Sequence, residues 1–204
     1  MVAIDYKNII NHFYPEASQL RDILSVHSRG VADYALKCVG KHPELLQDDE
    51  AFPTRCVTEA DRRLFIETAA MLHDIGIVRC DADGIQCFGT EPYICHGRIG
   101  AVMLREYAVE NGIEASEMEP FARVCERHTG AGLTAEDIRS QNLPLPIADF
   151  LPETTVEKLI CYADKFFSKT RPEVQKTYEQ AQRSLAKFGE EGLLRFRQWH
   201  SVFD

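Results

Sequence analysis

The chain has 204 residues, 45% of them hydrophobic and 27% charged, which suits one well-packed domain over residues 1–204. Its formal net charge of −9, from 32 acidic and 23 basic side chains, argues against a broad grip on a nucleic-acid backbone and favours a small substrate. No apolar run approaches the ~20 residues of a membrane span, and Met1 through Lys7 lack the basic-then-apolar pattern of a secretory signal, so a cytoplasmic protein is expected.

Residues 5–14 read as a short amphipathic helix interrupted by Pro15. A long helix should follow over about 17–39, ended by Gly40, with His27 on the same apolar stripe as Leu20, Leu24, Val31 and Ala35. The acidic run Gln47-Asp48-Asp49-Glu50 before Pro53 reads as a solvated loop. Thr58-Glu59-Ala60-Asp61 has the form of a capping box, and the helix it opens sets Ala60, Leu64, Met71 and Leu72 near one face. That helix should stop at His73-Asp74-Ile75-Gly76, with Gly76 supplying the residue that tolerates positive φ.

Next, 77–80 and 85–88 flank Asp83-Gly84 and predict a small β-hairpin closed by an Asp-Gly turn. Its Asp-x-Asp-Gly fragment lacks the distal glutamate of a calcium loop. Thr90-Glu91-Pro92 should open a helix with His96, Gly100, Met103 and Tyr107 on one side, where Gly97 and Gly100 allow close approach of a neighbour. From about Glu117 another helix sets Phe121, Val124, Cys125 and His128 at the i, i+3, i+4, i+7 spacing of a buried face and stops at Thr129-Gly130-Ala131-Gly132. The prolines at 144, 146 and 152 exclude regular helix over 141–153 and predict an ordered loop bordering a site mouth.

Thr154-Thr155-Val156-Glu157 reads as a further capping box, opening a helix with Val156, Ile160, Ala163 and Phe167 inward and Asp164 beside them. A carboxylate next to such a stripe is costly unless paired or ligating. Lys165, Lys169 and Arg171 follow and can reach phosphate oxygens. After Pro172, two more patterns appear: Val174, Tyr178, Ala181, Leu185 and Phe188 up to Gly189, then Leu193, Phe196 and Trp199. They carry no ligand pattern and read as packing, a lid or a homo-oligomer surface, with His200 incidental. The seven cysteines lack zinc-knuckle spacing and read as small core residues in a reducing compartment.

A single histidine on an apolar face is ordinarily a packed imidazole, but here four fall on such faces or helix ends. His73-Asp74-Ile75-Gly76 with its flanks resembles the signature of the HD-domain metal-dependent phosphohydrolases. The order His27, His73-Asp74, His96, His128, Asp164 resembles the two-metal members, over roughly residues 20–170. The resemblance implies an all-α helical bundle with a ligand-bearing core over about 17–170 and a helical extension over about 171–204. It also implies one metal on His27, His73, Asp74 and Asp164, and a second on His96 and His128 with Asp74 bridging.

Four imidazoles and two carboxylates without thiolate suit manganese, iron, cobalt, nickel or zinc, and six donors divide naturally between two divalent ions. On this reading a hydroxide activated between the ions attacks phosphorus, His73 and Asp74 being the catalytic pair. Lys165, Lys169, Thr129 and Gly130 are the candidate substrate-binding residues, the glycine segment through backbone N–H groups. Arg98 and Arg127 are weaker candidates. The substrate class is a phosphoester or phosphoanhydride of a nucleotide or other small phosphorylated metabolite. The chain lacks a Gly-x-Ser-x-Gly elbow and a phosphate loop, and it also lacks the Gly-Tyr-Pro signature of the cyclic-dinucleotide branch. Two alternatives share the ligand order: a diiron oxygenase such as myo-inositol oxygenase, and a ligand-sensing module without catalysis.

Overall fold

The computed structural model describes residues 4–204, so the Met1-Val2-Ala3 part of the N-terminal reading lies outside the described residues. Helices dominate: α1 (Tyr6–Phe13), α2 (Gln19–Lys41), α3 (Glu59–Leu72), α4 (His96–Glu110), α5 (Ala115–Arg127), α6 (Ala135–Ser140), α7 (Thr155–Asp164), α8 (Tyr178–Leu185) and α9 (Glu190–Phe203). A three-stranded sheet, β1 (Cys80–Ala82), β2 (Cys87–Phe88) and β3 (Glu91–Pro92), has the order β2-β1-β3. The all-α expectation with a small β element therefore holds. Among the described residues, no helix is long and apolar enough to cross a membrane.

Local chemistry sets most helix starts. The side chains of Asp5, Ser18, Thr58, Thr134, Thr154 and Thr177 each accept a backbone N–H in the first turn of the helix that follows. Thr58 with Asp61 is the reciprocal box read from sequence. At Thr154 the reciprocity fails, because the Glu157 carboxylate accepts from the Glu153 N–H and takes the Arg123 guanidinium instead. Gly40 does not end α2, which continues to Lys41 and stops against Pro43. The acidic stretch is partly ordered as 3-10 turns at Pro43–Gln47 and Asp49–Ala51, which bury Leu46 and Ala51.

Three further expectations are corrected by packing. Along α3, Leu64 is 57% exposed and Ala60 is also exposed, while Phe65, Ile66, Ala69 and Leu72 face the core. The larger apolar area of Phe65 and Ile66 rotates the helix that way. The hairpin turn is a 3-10 segment at Asp83–Ile85 closed by Gln86, which takes the left-handed conformation in place of Gly84. Thr90 does not cap α4: its N–H bonds the Arg79 carbonyl, Glu91–Pro92 pairs in parallel with β1, and α4 begins at His96.

The core is continuous across α2, α3, α5 and α7, and reaches Phe196, Trp199 and Phe203 of α9. Tyr162 on α7 packs against Phe196 and Phe203, with ring centroids 5.2 and 5.5 Å away. His200, read as incidental, takes part in this joint: its Nδ1 lies 2.8 Å from the Tyr162 hydroxyl and its ring stacks on Tyr178 at 3.6 Å. Val174 and Phe188 are exposed, because α8 starts only at its Thr177 cap and ends before Phe188.

Candidate metal centre and its cavity

The six candidate ligands converge from five helices, mostly at helix ends. His27 lies within α2, His73 caps the end of α3 with Asp74 following, His96 is the first residue of α4, His128 caps the end of α5, and Asp164 closes α7. All six are buried. At three positions the imidazole folds back to its own helix or turn: Nδ1 lies within 2.6–2.7 Å of a carbonyl three residues earlier, Ala70 for His73, Tyr93 for His96 and Cys125 for His128. A carbonyl only accepts, so Nδ1 carries the hydrogen and Nε2 points into the shared centre.

Asp74 divides that centre. Its Oδ2 lies 3.0 Å from His27 Nε2 and 3.1 Å from His73 Nε2, and Asp164 Oδ1 completes this group at 3.0 and 3.5 Å from the same two nitrogens. Its Oδ1 faces the other way, 3.3 Å from both His96 Nε2 and His128 Nε2. Two groups of donors result, His27-His73-Asp74-Asp164 and Asp74-His96-His128, joined by one carboxylate.

These donors fit divalent metal better than they fit one another. His96 Nε2 and His128 Nε2 face each other at 3.0 Å although both rings have committed Nδ1–H to carbonyls, so neutral rings would set two lone pairs in opposition. A shared proton is no remedy, since burial pulls the His128 pKa down to about 3 despite the nearby Asp74. His27 Nε2 and His73 Nε2 stand 3.4 Å apart, but His27 Nδ1 has no partner, so its Nε2 is free to carry the hydrogen toward Asp74 or Asp164. Donors at ~2.1 Å from a common ion and at right angles lie about 3 Å apart, the spacing seen here. Burial also opposes charge on His73, but Asp74 and Asp164 outweigh it and push its pKa up to about 9. The site thus attracts positive charge on that side.

Two lysines supply part of that charge. Lys169 Nζ lies 2.6 Å from Asp74 Oδ2, and Lys165 Nζ lies 2.6 Å from Asp164 Oδ2 and donates to the His128 carbonyl at 3.0 Å. Although burial favours the neutral acid, these cations and the imidazoles hold Asp164 and Asp74 well below the usual carboxylate range. Both lysines line a cavity of about 490 Å³ that reaches His96, His128 and Asp164, and Thr129 and Gly130 line it too. Gln141 and Leu143 bring the proline-rich loop to its wall, as expected for a segment bordering the mouth.

Other sequence candidates lie elsewhere. Arg98 is exposed, and Arg127 is bound to the Leu151 carbonyl and Glu153, so neither faces the cavity. Gly76 does not take positive φ. It is small because a Cβ there would lie 2.2 Å from the His96 carbonyl oxygen and 2.4 Å from Gly100 N, which puts the His-Asp turn directly against α4. Gly97 likewise meets the Cys125 carbonyl, as the close-approach reading required.

Sequence reasoning missed Tyr93, whose ring stacks on His96 at 4.7 Å beneath the Lys169 ammonium. Its place three residues before His96 was the available signal. It also missed Tyr14, whose hydroxyl donates to the Ile75 carbonyl and accepts the Val78 N–H, bracing the turn behind Asp74. Arg195 was passed over as well. It reaches from α9 to the Ala131 and Gly132 carbonyls and ties down the glycine loop.

The HD domain family model matches residues 24–168 of the chain. A tRNA (cytidine(56)-2'-O)-methyltransferase of Picrophilus torridus is 36% identical over 54% of this chain, which is 26% of that relative. An uncharacterized protein of Methanocaldococcus jannaschii is 33% identical over 60% of each chain. A Thermoplasma volcanium protein with the same methyltransferase name is 29% identical over 76% of this chain and 37% of its own length. The chain thus spans between about a quarter and three fifths of the curated relatives it matches. No solved structure matches it.

Proposed function

The chain belongs to the HD domain family, and from that premise we propose that it is a metal-dependent phosphohydrolase. Its substrate is a phosphoester or phosphoanhydride of a nucleotide or other small phosphorylated metabolite. The observation that carries this reading is the Asp74 carboxylate, each oxygen of which faces its own set of imidazoles. His27, His73, Asp74 and Asp164 would hold one divalent ion, and His96, His128 and Asp74 a second. Such ions supply Lewis acidity and make a water nucleophile available at neutral pH.

The protein's own groups do the rest. Lys165 and Lys169 place two ammonium groups on the cavity wall beside the ligand cluster, where they attract phosphoryl oxygens and offset the charge that gathers on them. Thr129 offers a hydroxyl, and Gly130, at φ 66°, lies in a loop whose N–H groups suit an anion. The apolar walls from Leu133, Leu143 and Leu185 exclude water from that end and suit a nucleobase. Within this proposal the chain is one domain, its core continuous from Ile9 to Phe203, and it works without a membrane.

The test is metal analysis followed by a phosphatase and nucleotide screen with added manganese, iron, cobalt or nickel. The names of two relatives place tRNA-derived nucleotides in that screen. Metal-dependent phosphate release is the expected outcome. Oxygen consumption with a diol substrate would replace the proposal by the diiron oxygenase reading, and binding without turnover by the sensing one. The two cavity lysines favour an anionic substrate over a neutral diol.

A further inference from the structure

A second concave surface lies beside the substrate cavity. It is a groove of about 470 Å³ whose lining holds Arg171, Lys176, Arg183 and Lys187 and no carboxylate. In a chain of net charge −9 such a run of one sign is unusual. Among the described residues, none of the four cations has an ion-pair partner within 4.0 Å. Lys176 turns its ammonium toward the Lys165 and Phe167 carbonyls, at 3.5 Å each, and the nearest carboxylate acting on it, Asp164, lies beyond ion-pair distance. The remaining polar lining, Ser168 and Ser184 among it, consists of neutral groups that can bond an anion.

The groove is continuous with the cavity that holds the ligand cluster, since Ser168, Lys176 and Ser184 line both. Except for Ser168, its lining lies beyond the residues matched by the family model. Four like charges around one concavity repel each other, and a bound polyanion relieves that repulsion while neutral solutes do not. The walls of the adjoining cavity are largely apolar, with Leu133, Leu143, Leu185 and Phe188. The surface therefore runs from a ligand cluster with two lysines, through an apolar cavity, to a purely basic groove.

We infer that the groove binds a second phosphate group of the substrate, so that the molecule cleaved at the ligand cluster is doubly phosphorylated and seats its apolar part, such as a nucleobase, in the cavity. This rests on the phosphohydrolase reading for the scissile phosphate. Arg183 and Lys187 are exposed and far in sequence from the ligands, so neutralising them leaves the cluster intact.

The probes are adenosine 3',5'-bisphosphate and adenosine 5'-monophosphate, titrated calorimetrically into the full chain without added metal, so that affinity is read without turnover. The bisphosphate should bind at least tenfold more tightly. The double variant Arg183→Gln/Lys187→Gln should bring that preference below threefold and leave monophosphate affinity within twofold. Inorganic phosphate added beside the monophosphate should not reproduce the gain; if it does, the groove takes a free anion and the inference falls. It falls equally if wild type shows no preference or if the preference survives the double substitution. A parallel assay of phosphate release with manganese separates the two proposals. Preference without turnover removes the phosphohydrolase reading, and with it the cleavage step of this inference, while the phosphate subsite stands; turnover without preference removes the second subsite alone.

Discussion

The two halves of the ligand cluster are built differently. On the Asp74 Oδ2 side, four protein donors close around one point, and all but Asp164 are shut off from the cavity. On the Oδ1 side only His96, His128 and Asp74 meet, and both histidines line the cavity wall. A closed set of donors suits a metal that stays in place, whereas a set of three leaves positions for water or substrate. Under the proposed function, the contrast assigns retention to the first half and exchange with the cavity to the second.

The harshest way to break the contrast is to remove the group the halves share. Asp74→Ala should abolish metal-dependent turnover and lower metal content from two ions toward none, by elemental analysis of protein whose circular dichroism is unchanged. A folded variant with wild-type turnover would refute the bridging role. Splitting the halves comes next. His96→Ala or His128→Ala should bring occupancy from two toward one, with a steep loss of activity, while the first half keeps its ion. If wild type itself holds one ion at saturation and both variants match it in content and turnover, these histidines are core residues.

A smaller effect sharpens the first half. Lys169 is the ammonium nearest the Asp74 Oδ2 oxygen, and Asp74 is fully buried. Lys169→Met should therefore cost about 1–3 kcal/mol of stability in chelator, because a buried carboxylate loses a partner. With saturating manganese most of that loss should disappear. Denaturant unfolding in the two conditions checks it, and equal losses in both would show that Lys169 acts by packing alone.

The smallest effect concerns how the second half is held. Arg127, next to His128, and Arg123 hold the Glu153 carboxyl down to about 2. A depressed carboxylate stabilises the fold above its unfolded pKa of about 4.3, and that contribution is lost as pH falls from there through about 2. Glu153 is 62% exposed, so solvent screening keeps the contribution under about 1 kcal/mol. Glu153→Gln should be less stable than wild type at pH 6, with the gap closing toward pH 3 in urea unfolding. A gap that does not change with pH would place its origin elsewhere.

Much of this contrast was legible in the sequence because ligands and caps are local. His73-Asp74 lies at a helix end, Asp164 lies beside an apolar stripe, and Thr58 announces its helix, each within one or two turns of chain. What was not legible depended on partners far away. Whether Leu64 or Phe65 faces inward is decided by the neighbouring helices, and Thr90 serves a strand edge because Arg79, just before β1, offers it a carbonyl. Helix α6 had a readable signal in Thr134 and Asp137, which form a capping box, but it is only six residues long. Lys176, Arg183 and Lys187 look like ordinary solvated charges until the chain folds them around one groove.

The contact of Gly76 with the first turn of α4 acts as a gauge block for the whole centre. Main chain rests on main chain there, with no side chain between whose rotation could widen or narrow the gap. One face of this joint carries His73 and Asp74 two or three residues away, and the other carries His96. The pitch between the two donor sets is therefore machined into the backbone. Under the proposed two-ion reading, ions of different radius would be met by turning imidazoles and the carboxylate, since the His-Asp turn and α4 cannot close further.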